Sequence, residues 1–124
     1  MTSDLDRIRE KYVNSFTGQE DELLQNLERE TYLTQLHPRM LSGWHQSIFL
    51  NFLINLSGAE HILEIGTFTG YATILMARAL REKGKIVTIE RNDEIQWLSD
   101  KYFSQSGLAE KIESLTGDAL EIIP

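Results

Sequence analysis

The chain has 124 residues, 41% apolar and 25% charged, with 12 Lys plus Arg against 19 Asp plus Glu and a formal charge of −7. That is the composition of one ordinary globular domain, neither disordered nor fibrous. With no cysteine there is no disulfide framework, thiolate metal site or cysteine nucleophile, and with no segregated basic patch a nucleic-acid partner is not expected. No run approaches the roughly 20 apolar residues of a membrane span. The polar start MTSDLDRIREK lacks a signal-peptide core, so the expectation is a cytoplasmic protein without a membrane partner.

Residues Asp4 to Phe16 mix charges with spaced apolar residues, and Glu20 to Leu36 place Leu23, Leu24, Leu27, Tyr32 and Leu36 near helical spacing. This predicts two solvated helices, each with one apolar stripe, and makes the Glu-rich run from Glu20 to Glu30 a solvated face. His37-Pro38 breaks the pattern, because a residue before proline is pushed out of the α region. After Ser42-Gly43, the segment Trp44 to Leu56 leaves almost no polar face, which predicts a helix buried on most sides.

From Ser57 the texture changes to HILEIG, Tyr71 to Glu82, KIVTIE, Asp93 to Ser106 and KIESLTGDA. Strand, helix, strand, helix, strand with strongly apolar strands implies right-handed crossovers and a parallel sheet. The organisation expected is N-terminal helices over 1–36 and an α/β unit over 37–124. The first strand, HILEIG, reads as a central strand, so its free edge needs a partner or completion.

The chemistry gathers at the strand ends. In LEIGTFTGY a glycine, Gly66, closes the first strand and a second, Gly70, opens a helix. A strand-end glycine permits backbone angles closed to other residues and lets a ligand approach the main chain. The Gly-x-x-x-Gly spacing is not the Gly-x-Gly-x-x-Gly of pyrophosphate-binding folds, which counts against a nicotinamide-dependent oxidoreductase. Glu64, one residue before the end of a buried strand, needs a cationic ligand group or hydrogen-bond donors, unless it faces solvent. Glu90 ends the second strand where an acid can accept both hydroxyl protons of a ribose. Asp118, at the end of the third, either caps the segment Ala119 to Ile123 or accepts from a base amino group. Three acids at three strand ends fall on one rim of the sheet, the rim at which open α/β sheets bind ligands. His37, His45 and His61 lack the spacing of zinc ligands; no metal site is assigned.

The strings ILEIGTFTGY, VTIERN and ESLTGDALEIIP, preceded by PRMLSG, resemble the S-adenosylmethionine (SAM)-dependent O-methyltransferases of the caffeoyl-CoA and catechol type over roughly residues 37 to 124. The resemblance implies a Rossmann-like class I methyltransferase fold with a doubly wound parallel sheet, of which this chain carries the first half. It places Glu64, Gly66, Thr67 and Gly70 around the methionine part of the cofactor, Glu90 on the ribose hydroxyls, and Asp118 with Ala119 beside the adenine. Met40, Ser42 and Gly43 fall on a loop closing over the site. Trp44 and Trp97 either line a ligand pocket or fill core; of the two, Trp44, which follows that loop, is the better placed to touch a ligand. Tyr71 is read as packing the turn, not as an acid. Relatives carry a serine after the Gly-Tyr pair, for the cofactor carboxylate; this chain has Ala72, with Thr73 as the available substitute. Their divalent-metal carboxylates and general base come after a third strand like this one, so the catalytic residues are unknown here, and magnesium is expected only of the complete enzyme. The implied function is methyl transfer to a small hydroxylated, phenolic acceptor, with this truncated chain inactive alone and forming a homo-oligomer. The alternative is a non-catalytic nucleoside-binding or association module.

Overall fold

The computed structural model describes residues 3–124. Ser3 accepts from the Asp6 N–H and Asp6 reaches back to Ser3, a reciprocal cap that starts α1 (Asp4–Phe16). Asp21 accepts from the Leu24 N–H and starts α2 (Glu22–Thr34). A short 3-10 turn over Pro38–Met40 leads into α3 (Gly43–Ser57), which stops at Gly58 in the left-handed conformation. Then β1 (His61–Ile65), α4 (Tyr71–Ala79), β2 (Lys85–Glu90), α5 (Gln96–Ser106), β3 (Ile112–Thr116) and a short α6 (Ala119–Ile122) follow.

The three strands are parallel in the order β1-β2-β3, with Glu64 opposite Thr88 and Glu90 opposite Thr116. Two crossovers of one hand progressing in one direction put α4 and α5 on the same face. That face holds the core: Leu24 and Leu27 of α2 pack with Tyr71, Ile74, Leu98 and Phe103, while Ile62, Ile86 and Ile112 pack beneath Ala77 and Leu80. Burying a side chain such as Leu24 or Leu27 fully is worth about 1.5–3 kcal/mol.

Two expectations are corrected. Helix α3 is not buried on most sides: only Ser47 is buried, and Phe49, Phe52, Leu53 and Leu56 are exposed. It lies on α4 through one face, where the Asn51 side chain donates to the Leu75 carbonyl at 2.9 Å, and no described residue covers the rest. The strands are also less enclosed than their apolar character suggests. Leu63 and Ile65 alternate with Ile62 and Glu64, and they point to the face opposite the helices, where both are more than half exposed.

Candidate functional site

The site is built on the turn from β1 into α4. The N–H groups of Gly66 and Thr67 both donate to the Ile89 carbonyl, at 2.8 and 3.3 Å, folding the chain back across the end of β2. Gly66 has φ +94° with open space where a Cβ would be, so the backbone angle requires glycine and the main chain there is approachable. Phe68, at the tip, has φ +53° without being glycine. Its N–H donates to Glu90 Oε2 at 2.7 Å, which offsets part of the strain of that conformation. Gly70, φ +92°, opens α4; a Cβ would lie 2.5 Å from the Phe103 ring. Its place is fixed by packing, and it lines neither cavity described below.

Glu64 does not face solvent. It points to the helix-covered side, where Thr73 Oγ1 of α4 and Thr88 Oγ1 of β2 donate to its Oε2 at 2.5 and 2.6 Å. Thr88 has one proton to give, so the 2.6 Å contact between Thr67 and Thr88 is a donation from Thr67. Burial pushes the Glu64 carboxyl above the ordinary carboxylate range and the Glu90 charge adds to that, while the Thr73 and Thr88 hydroxyls pull it back. Thr73 is therefore not the substitute for a serine at residue 72: its hydroxyl is engaged with β1, and its side chain is fully buried.

Glu90 braces the same turn from the neighbouring strand. Its Oε2 takes the Phe68 N–H and its Oε1 takes the Asn92 N–H at 3.0 Å. Each carboxylate oxygen has a second acceptor direction, so both remain able to accept a ligand hydroxyl. The Tyr71 hydroxyl donates to Glu20 Oε1. Burial first, then Glu20, push its ionisation far above the tyrosine range, so it is a neutral donor, as a packing role requires.

Two cavities meet at this turn. A small one, about 30 Å³, brings together Met40, Ser42, Glu64, Gly66 and Thr67, all five expected from the sequence, beneath the Met40–Ser42 segment. A larger one, about 390 Å³, contains Glu90 together with Gln35, His37, Asn92, Ile95 and Trp97. Met40 and Phe68 line both and join them. Asp118 and Ala119 line neither: Asp118 Oδ1 caps α6 by accepting from the Leu120 N–H at 2.9 Å. Of the two readings open for the tryptophans, Trp44 takes the core and Trp97 the pocket, the reverse of their expected ranking for the pocket. Trp44 packs against the α2/α4/α5 core with its Nε1 buried and unpaired, whereas Trp97 lines the larger cavity. Phe68 and the end of α2 were not singled out from the sequence. The position of Phe68 between two assigned residues was a usable signal, but nothing local placed α2 over the site. Among the described residues no group of three His, Asp or Glu side chains is arranged to hold a metal ion, and no helix is long and apolar enough to cross a membrane.

Comparison with known proteins agrees on one family. Its profile, described as O-methyltransferase, matches residues 14–124. A catechol O-methyltransferase of Niastella koreensis is 34% identical over 114 residues, covering 91% of this chain and 51% of its own length. Caffeoyl-CoA O-methyltransferase 2 of Petunia hybrida is 37% identical over 93 residues, 73% of this chain and 38% of its own. The crystal structure of the O-methyltransferase TomG from Streptomyces achromogenes, involved in tomaymycin synthesis and in complex with SAM, matches with a TM-score of 0.88 at 33% identity, over 98% of this chain and 55% of that one. The chain spans about half the length, or less, of these relatives.

Proposed function

The chain belongs to the O-methyltransferase family, and from that premise we propose that it binds S-adenosylmethionine along the carboxyl ends of its strands, as the cofactor-binding half of an enzyme methylating a small phenolic acceptor. The observation that carries this reading is the joining of two cavities at Met40 and Phe68, which puts Glu64 and Glu90 on one crevice.

The residues fit such a ligand at each end. Glu64 has an oxygen with no intramolecular partner, suited to a cationic group. Helix α4 opens without a side-chain cap, so its first N–H groups are free for a carboxylate. Glu90 offers two acceptor directions to vicinal hydroxyls. Asp118 keeps Oδ2 available for an amino group of the base, with Ala119 beside it, and Met40 and Ser42 close the crevice from above. Gly66, Thr67 and Gly70 shape the turn that holds these groups in place. What the cofactor supplies when bound is an activated methyl group on a sulfonium centre. What these residues do is orient it, shield it from water and balance its charge. The fold unit over 37–124 carries most of the site, and α2, whose C-terminal end lines the larger cavity, buttresses it.

Among the described residues no group is arranged to hold a metal ion and no catalytic residue is assigned; little or no turnover is expected of the 124 residues alone. Methylated catechol appearing at an ordinary enzymatic rate with SAM and magnesium would contradict that. A nucleoside-binding module without catalysis is the second reading, favoured by the same lack of a metal set among the described residues. The test of the cofactor site is calorimetric titration of S-adenosylhomocysteine into the folded chain. Binding that weakens about tenfold or more in Glu90→Ala, the scale of a lost charge-assisted hydrogen bond, supports the reading; a folded chain that does not bind sinks it. We also propose that the protein works in the cytoplasm and pairs with a second copy through the exposed apolar sides of α1 and α3, two helices tied to each other by the 2.7 Å contact between Asn14 and His45.

A further inference from the structure

We propose that Thr73 and Thr88 are positioning residues for the cofactor: by both donating to Oε2 of Glu64, they leave Oε1 to take the ammonium group of the cofactor's amino-acid tail in the small cavity under the glycine turn. The inference rests on the reading of this crevice as a cofactor site.

The geometry makes the division of labour between the two oxygens definite. Thr73 and Thr88 come from different elements, α4 and β2, and are fully buried. Their hydroxyls reach one oxygen, at 2.5 and 2.6 Å, and Thr67 completes the chain by donating to Thr88 at 2.6 Å. Both acceptor directions of Oε2 are thus filled, and the carboxylate cannot rotate without losing two bonds. Oε1 receives none of the donations within the chain. The cavity that Glu64 lines measures about 30 Å³, room for a group of ammonium or water size but not for a ring. A fixed acceptor in a space of that size selects a compact donor with positive charge.

The charged groups on the elements packed against β1 are otherwise committed. Arg78 of α4 pairs with Asp21 at 2.5 Å, Lys85 of β2 donates to the Glu110 carbonyl, His45 of α3 contacts Asn14 and Tyr71 donates to Glu20. Glu90 is the charge that acts on Glu64, and it disfavours ionisation. The two threonine donations oppose that effect, so removing one moves Glu64 toward its neutral form and away from cation binding.

The experiment is titration of SAM and, separately, S-adenosylhomocysteine into the 124-residue chain and its Thr73→Val, Thr73→Ser and Thr88→Val forms, from about pH 4.5 to 6.5, below the range in which α-amino groups lose their proton. For the unaltered chain, affinity for both ligands is expected to fall on acidification. In Thr73→Val and Thr88→Val that fall begins at higher pH, about tenfold weaker binding for each pH unit by which the titration moves, and Thr73→Ser restores the original curve. Both ligands must shift alike, because both carry the ammonium group; a shift confined to SAM would assign Oε1 to the sulfonium and overturn the proposal. A loss of affinity that is the same at every pH, or a valine form whose curve coincides with the original, also overturns it while leaving the cofactor site standing. If the unaltered folded chain binds neither ligand, the proposal and the reading beneath it fall together. Should a valine form unfold, the serine form and the other threonine decide.

Discussion

Helices α1 and α2 are alike in every local respect: 13 residues each, a side-chain cap at the start, an acidic first turn and one apolar stripe. Their fates in the fold are opposite. Leu24 and Leu27 of α2 are fully buried in the core, and polar ties fasten the helix to the site-bearing elements. Thr31 meets Thr69 of the glycine turn at 3.0 Å, and Glu30 takes Lys101 and Tyr102 of α5, both at 2.7 Å. Helix α1 buries nothing, and Leu5, Ile8, Tyr12 and Phe16 are all at least 64% exposed. An apolar stripe states that a helix has something to bury, not what will bury it. The difference lies in partners distant in sequence.

The largest separation between the two helices is expected in the core. Leu27→Ala removes a fully buried side chain and should cost about 2–5 kcal/mol in urea unfolding, while Ile8→Ala on α1 should stay within about 0.5 kcal/mol. Equal effects would break the comparison. Next comes Thr31→Val, which leaves the buried Thr69 hydroxyl without its partner. A loss of about 1–3 kcal/mol is expected, accompanied by weaker S-adenosylhomocysteine binding, because Thr69 belongs to the turn that shapes the crevice. Stability lost with affinity unchanged would show that α2 supports the fold but not the site.

How much of this was legible in the sequence follows from the range of the interactions. The parallel sheet, its crossovers and the rim of acids come from local pattern and chain direction, and LEIGTFTGY by itself marks the turn. The role of Thr73 was not legible, since the spacing of Thr73 and Thr88 from Glu64 says nothing until β2 lies beside β1 and α4 crosses them. The ranking of Trp44 above Trp97 for the pocket fails for the same reason: adjacency to a loop in sequence does not reveal that Trp44 packs against the core shared by α2, α4 and α5, or that α5 turns Trp97 into the larger cavity. The exposure of α3 had no local signature either, because its composition is that of a buried helix.

A smaller effect is expected on acidification. The Lys101 ammonium first, and then the Tyr102 hydroxyl, hold the Glu30 carboxyl below the usual range. A carboxyl depressed in the folded state stabilises the fold fully above its unfolded value and loses that contribution as pH falls through the folded one. Glu30→Gln should therefore lower the melting temperature at neutral pH and flatten its decline below about pH 4.5, the ordinary glutamate range. On α1, Asp6 and Arg9 stand 3.7 Å apart with the arginine side chain 76% exposed. Such pairs contribute little, and Arg9→Gln should leave the acid curve unchanged.

The smallest effect on the stability of a single copy should be the most informative about association. Ile8→Glu places a charge on the stripe of α1 without uncovering any buried group, since that helix has none. If the stripe is free in solution, melting temperature and sedimentation coefficient both stay as they were, and the proposed pairing fails. If a second copy covers it, the charge is desolvated on association without a partner, a cost of several kcal/mol shared by both copies of a twofold contact. Sedimentation then shows the species becoming lighter by one chain, and the concentration dependence of melting disappears. Binding of S-adenosylhomocysteine should be unaffected in either case, because no residue of α1 lines the crevice. An affinity that fell with dissociation would instead couple the two surfaces, through the Asn14 to His45 contact and the segment that leads from Met40 into α3.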